Sequence, residues 1–290
     1  MKNILVTGSS GQLGHELQGL SYTHAYKGYK FFHTGRKTLN IANLDQVKHF
    51  FAENRIDCII NCAAYTNVDK AEDEEAIATH INSYAVEGLV REAGNHNTRI
   101  IHVGTDYVFD GTKHTPYRED DPVNPVSAYG RSKLQGEKAV LEYKYGTVVR
   151  TSWLYSSRGN NFFNTILSLG EERSELKVVY DQVGTPTYAR DMARVLLTLA
   201  IRAMEDNTSY TGGLFHYSNE GVCSWYDFAL AIVRLAGLDC RVIPIESSEY
   251  PTAARRPHYS VLNKAKIKSE LTLLIPHWRD SLQNCIDQLD

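Results

Sequence analysis

Tyr129 and Lys133 stand four residues apart in Tyr129-Gly-Arg-Ser-Lys133, inside a stretch that reads as helix. That spacing puts both side chains on one helix face, about one turn apart. An ammonium beside a phenol favours the phenolate and lowers a pKa that ordinarily lies near 10. The expected chemistry is proton donation near neutral pH. Alone, two such positions are usually solvated helix residues, so the reading depends on what precedes them. Gly8-Ser-Ser-Gly11-Gln12-Leu13-Gly14 follows a short β-branched run and opens a helix. Backbone without Cβ atoms approaches a pyrophosphate closely, and a helix N-terminus supplies unpaired N–H groups and a positive dipole end. A bland glycine turn is the alternative; three glycines at this spacing favour nucleotide binding.

Thr34-Gly35-Arg36-Lys37 follows the second expected strand. An NAD site usually carries an acid there for the ribose 2′-hydroxyl. Arg36 suits a 2′-phosphate instead, so NADPH is expected, with NADH possible; a solvated loop arginine is the equal alternative for that residue. Thr105, in Gly104-Thr105-Asp106-Tyr107-Val108-Phe109-Asp110-Gly111, closes the fourth strand. Its hydroxyl can reach a substrate carbonyl oxygen or the Tyr129 phenol. A threonine in that place is more often structural, and only the company of Tyr129 and Lys133 gives it a catalytic reading.

The elements that must position these groups alternate along the chain. Strands are expected at 2–7, 29–33, 57–63, 99–103 and 147–151, and helices at 15–20, 44–54, 73–94 and 128–145. This alternation predicts an α/β protein with a Rossmann-type, doubly wound parallel sheet and right-handed crossovers. Ligands then lie at the carboxyl ends of the strands. Beyond residue 152 the rhythm weakens and prolines cluster. Helices are expected at 191–204, 225–236 and 264–271, with a strand at 213–217. The predicted division is residues 1–151 with about 184–217 returning to the sheet, and a smaller, discontinuous α/β substrate-binding lobe from about 152–183 and 218–290.

A hydrophobic fraction of 42% and a charged fraction of 22% fit an ordinary soluble globular chain. A net charge of −3 with no basic run gives no reason to expect nucleic acid or an anionic membrane surface as a partner. No apolar stretch approaches the ~20 residues of a membrane span. The strand pattern beginning at Lys2 leaves no room for a signal peptide. Cys58 and Cys62 could pass for a metal pair, but they sit in the apolar run Cys58-Ile-Ile-Asn-Cys62 and read as buried thiols. Five cysteines without a paired framework suit a reducing cytoplasm. Several of the eighteen tyrosines fall in loops, as sugar-pocket residues do, although the core boundary explains most of them.

Taken together, the chain resembles the extended branch of the short-chain dehydrogenase/reductase superfamily, and within it the dTDP-4-dehydrorhamnose reductase family. The resemblance rests on the glycine turn, Ala63-Ala-Tyr-Thr-Asn-Val-Asp-Lys-Ala-Glu72, Thr105-Asp-Tyr-Val-Phe-Asp-Gly111 and Tyr129-Gly-Arg-Ser-Lys-Leu134. Arg150-Thr-Ser-Trp153, Gly159-Asn-Asn-Phe162, Asp181-Gln-Val-Gly-Thr-Pro-Thr187 and Arg256-Pro257 extend it over nearly the whole chain. It implies reduction of a dTDP-linked 4-dehydro deoxyhexose, the last step towards dTDP-L-rhamnose. Tyr129 would protonate the C4 oxygen, Lys133 would bind the nicotinamide ribose and poise the phenol, and Thr105 would tune the pair. Gly8, Gly11, Gln12, Leu13 and Gly14 would cradle the pyrophosphate. Asn40, Ile41, Ala64, Tyr65, Thr66 and Val103 would line the rest of the dinucleotide, and Thr105, Asp106, Trp153 and Arg256 the sugar nucleotide.

The family often has serine where this chain has Gly104, and its acidic run reads Leu39-Asn-Ile-Ala-Asn43 here. Some relatives dimerise through a magnesium-bridged acidic surface. No such cluster stands out in this sequence, so no metal is expected, and the chain is read as a monomer or homodimer. Two alternatives share these motifs: an epimerase or dehydratase of the same branch, and a regulatory subunit of the methionine adenosyltransferase type. A dehydratase needs a second carboxylate beside Asp106, where none stands.

Overall fold

A computed structural model describes residues 1–205 and 212–289. Residues 206–211, which the expected return to the sheet spans, lie outside the described residues. The chain opens with β1 (Lys2–Thr7), α1 (Gln12–Ser21), β2 (Tyr29–Thr34), α2 (Leu44–Glu53) and β3 (Cys58–Asn61). Short helices α3 (Lys70–Asp73) and α4 (Glu75–Thr79) run through a π-helical turn, His80–Tyr84, into α5 (Ala85–Asn95). Then come β4 (Arg99–Thr105), α6 (Ala128–Glu142) and β5 (Gly146–Thr151).

The second half contains β6 (Leu154–Tyr155), α7 (Phe162–Glu172), β7 (Glu175–Val179), β8 (Val183–Gly184), β9 (Thr187–Tyr188) and α8 (Ala189–Glu205). It continues with β10 (Gly213–His216), β11 (Cys223–Ser224), α9 (Trp225–Leu235), β12 (Arg241–Ile245), α10 (Ala265–Leu271) and α11 (Trp278–Ile286).

Six parallel strands form one sheet in the order β10-β5-β4-β3-β1-β2. The order reverses between β1 and β3, and there the diverging loops open a crevice. Strands covered on both faces read as near-continuous apolar runs, because alternate side chains enter different cores. Ile4, Val6 and Ile60 join α1 and α8 on one face. Leu5, Ile59 and Ile100 meet α2, α5 and α6 on the other, with Val47, Leu89 and Val140. Each such fully buried aliphatic side chain stabilises by roughly 1.5–3 kcal/mol.

A separate core lies beyond the strand ends. Phe163 and Ile166 of α7, Phe228 and Ile232 of α9, and Trp278 and Leu282 of α11 pack there on the β7–β12 pair. Ile267 of α10 is fully buried in the sheet-side core instead, with Leu271, Leu273 and Ile275 against it. That stretch was expected in the smaller lobe, but its apolar side chains meet the layer that carries α8. The helix expected at 73–94 is divided, because Glu74 leaves helical geometry (φ −114°, ψ 35°) and the chain widens at His80–Tyr84. No described helix is long and apolar enough to cross a membrane.

Candidate active site

One groove of about 1420 Å³ runs over the carboxyl ends of β1, β3, β4 and β5 to the smaller lobe. Its floor begins with the glycine turn. Gly8 has φ +66°, and a Cβ there would lie 2.6 Å from the Ala63 nitrogen. A Cβ on Gly14 would lie 2.5 Å from the Ser9 Cα and closer still to the Gly8 carbonyl. Both positions therefore exclude side chains, and α1 starts hard against the strand end. Its N-cap, Gly11, contributes no side-chain cap, so the first N–H groups are left for a ligand. Gly8, Gly11, Gln12, Leu13 and Gly14 line the groove. This cradle fits a dinucleotide pyrophosphate.

The Gln12 side chain does something the sequence did not suggest. It donates to the Leu154 carbonyl (3.1 Å) and accepts from Asn161 (3.0 Å), tying the turn to the lobe. Arg36, Asn40 and Ile41 line the groove past β2, and Ala64, Tyr65 and Thr66 past β3. Asn82, in the π-helical turn, holds that second loop. It accepts from the Tyr65 nitrogen (2.9 Å) and donates to the Tyr65 carbonyl and the Ser132 hydroxyl (both 3.0 Å). π-Turns are frequent at functional sites, and the sequence carries no signal for this one.

Tyr129 enters through α6, whose N-cap Ser127 accepts from the Gly130 nitrogen at 3.1 Å. Its ring meets the edge of Tyr107, with centroids 5.6 Å apart. Thr105, Tyr129 and Lys133 all line the groove. Lys133 does not acidify the phenol here, contrary to the expectation from spacing. Its Nζ donates to the Val103 carbonyl at 2.7 Å and lies 3.2 Å from His102 Nε2. Burial raises the Tyr129 pKa; the hydrogen bond with Thr105 opposes the rise, while Asp106 and Glu137 add to it. Burial also lowers Lys133 to about 8, against the pull of Glu137 and Cys62. Desolvation outweighs pairing because both groups have left water.

Asp106 is 2% exposed, and its Oδ2 has no hydrogen-bond partner among the described residues. Burial raises its carboxyl to about 7. Trp153 holds a left-handed backbone (φ +46°), unusual for a bulky residue, and stacks on Trp225 at 3.6 Å and 9°. Both tryptophans line the groove, yet Trp225 comes 72 positions later and the sequence reading passed over it. Arg256 is not among the lining residues. Its guanidinium is paired with Asp69 at 2.6 and 3.1 Å.

Behind the groove, Glu137 and Arg150 form a buried ion pair at 2.9 Å. Glu137 also accepts from the Thr105 nitrogen at 3.3 Å. The pair accounts for the glycine at 104, since a Cβ there would stand 2.5 Å from the Glu137 carboxylate. No cluster of three or more His, Cys, Asp or Glu suited to a metal occurs among the described residues.

The model for the RmlD substrate binding domain matches residues 1–290, the full chain. The chain belongs to this family. A crystal structure of a dTDP-4-dehydrorhamnose reductase from Clostridium acetobutylicum is 42% identical, covers 99% of each chain and superposes with a TM-score of 0.92. A Bacillus anthracis dTDP-4-dehydrorhamnose reductase, solved in complex with NADP, is 36% identical over 99% of this chain and 100% of its own, also at 0.92. The spore coat polysaccharide biosynthesis protein SpsK of Bacillus subtilis is 39% identical over 99% of this chain and 98% of its own. Membership in the RmlD family therefore spans both the sheet and the smaller lobe.

Proposed function

We propose that the chain reduces the C4 ketone of dTDP-4-dehydro-β-L-rhamnose to dTDP-β-L-rhamnose with NADPH. The observation that carries this reading is the meeting of Thr105, Tyr129 and Lys133 in the dinucleotide groove of an RmlD-family chain. NADPH, when bound, supplies the hydride to C4. The glycine turn would hold its pyrophosphate, Arg36 its 2′-phosphate, and Asn40, Ile41 and the 64–66 loop its adenosine and ribose. Tyr129 gives its proton to the C4 oxygen as negative charge develops there. A phenol held above its ordinary pKa is fully protonated at neutral pH, and it is still far more acidic than the alcohol it creates. Thr105 donates to the same oxygen or to the phenol. Asp106 and the Trp153–Trp225 wall face the sugar nucleotide, the tryptophans offering flat apolar surface to a deoxyhexose ring.

The deciding assay follows loss of reduced nicotinamide absorbance with dTDP-4-dehydro-L-rhamnose, using dTDP-glucose as control. NADPH should be consumed with the first sugar only. Turnover of dTDP-glucose on a tightly retained NAD would instead assign the chain to the epimerases or dehydratases. Gly14→Ala tests the cradle separately. The Kd for NADPH, titrated by nicotinamide fluorescence, should rise about tenfold, equivalent to ~1.4 kcal/mol. An unchanged Kd would remove the turn from the binding site.

A further inference from the structure

A chain of buried polar groups crosses the sheet beneath the groove. Thr7 Oγ1 donates to Asn61 Oδ1 at 2.6 Å, and Asn61 Nδ2 lies 2.8 Å from His102 Nδ1. His102 Nε2 in turn lies 3.2 Å from Lys133 Nζ. Thr7 and His102 are 0% exposed, Asn61 1% and Lys133 2%. Water has little access to these groups, and an unsatisfied polar atom would be costly.

This arrangement has two self-consistent hydrogen-bonding states. In the orientation seen, the Asn61 amide N–H donates to Nδ1, so the ring hydrogen sits on Nε2 and points at Lys133. That pattern satisfies a neutral amine. With the amide turned over, Nδ1–H donates to Asn61 Oδ1 and Nε2 accepts from a charged ammonium. Thr7 then accepts from the amide N–H instead of donating to its oxygen. Asn61, His102 and Lys133 each keep a partner in both states.

We propose that His102 is a positioning residue for Lys133, its imidazole changing tautomer as Lys133 gains or loses a proton. This rests on the reading that Lys133 works with Tyr129. Each reduction moves one proton from Tyr129 to the substrate oxygen, the phenolate recovers one from Lys133, and Lys133 takes one from solvent through the groove. The ammonium and the amine must therefore both be tolerated in a dry site. Burial keeps His102 itself neutral, holding its pKa well below the ordinary value, with Lys133 adding to that effect. The other groups bearing on Lys133 are Glu137, which favours its charge, and the Cys62 thiol, which burial raises to about 12 and so keeps neutral.

The test is nitrogen NMR of the full chain labelled with 15N-histidine, with the His102 signals assigned by comparison with His102→Gln. On raising the pH, the two ring nitrogens of His102 should exchange their protonated and unprotonated shifts, with a midpoint near the Lys133 value of about 8. In Lys133→Met the switch should vanish. A single tautomer throughout the wild-type titration, or the same switch in Lys133→Met, overturns the proposal. A second arm reads turnover. His102→Leu should lower kcat about tenfold and move the pH profile with KM little changed, because a buried donor loses its partner. Glutamine can turn either its oxygen or its nitrogen to Lys133 and should recover most of that loss. Equal losses in both variants, or a wild-type profile in His102→Leu, would overturn the tautomer role. The NMR arm uses no substrate, so a wrong substrate assignment would leave its outcome intact.

Discussion

Tyr129→Phe should lower kcat about 10²–10⁴-fold, the usual range for removing a positioned general acid, while NADPH binds as tightly as before. The variant keeps the ring, and so keeps its contact with Tyr107 and the wall of the groove. Only the hydroxyl that would protonate the C4 oxygen is lost. The nucleotide cradle at Gly8–Gly14 belongs to a different strand end and is untouched. Paired measurements of kcat and of nicotinamide fluorescence separate the two effects. Turnover at the wild-type rate would remove Tyr129 from the chemistry, and equal loss of binding and turnover would make it a structural residue.

The largest effect on stability is expected at Glu137. Its side chain is 0% exposed and that of Arg150 is 4%. Burial raises the Glu137 pKa even with Arg150 beside it, so desolvation exceeds the attraction between them. Such a pair adds little net stability, but breaking it leaves an uncompensated buried charge and typically costs about 3–5 kcal/mol. Glu137→Ala should therefore lower the urea midpoint by that equivalent. The double variant Glu137→Leu with Arg150→Met should recover most of it, as replacement of buried ion pairs by apolar residues often does. A single variant as stable as wild type would show that Arg150 finds another partner or reaches solvent. The pair also bonds the Thr105 nitrogen, so the double variant should fold well yet turn over poorly.

The parts of this site that were legible in the sequence are those whose logic is local. Tyr129 and Lys133 declare a shared helix face by spacing, the glycine turn declares a backbone approach, and the strands declare themselves by apolar runs. The groups that hold them in place come from elsewhere in the chain. His102 reaches Lys133 across 31 positions, and Asn82 reaches Ser132 across 50. Glu137 did carry a readable signal, since it stands one further turn along the face of Tyr129 and Lys133. The two-residue strands of the smaller lobe are too short for any periodicity, and the π-turn has no sequence mark. The direction of the Tyr129 shift was missed because spacing reports proximity and says nothing of burial, which here is the larger effect.

Strand β10 pairs with β5 through Leu214–Val148 and Phe215–Val149, although more than sixty residues separate them in the chain. While the protein is being synthesised, β5 therefore leaves the ribosome long before its outer neighbour exists. During that interval its row of backbone donors and acceptors is an open sticky edge beside valine side chains, the kind of surface that recruits other nascent chains. The last strand of this sheet to arrive thus covers β5 and becomes the edge itself, where Lys266 donates to the Leu214 carbonyl at 2.7 Å.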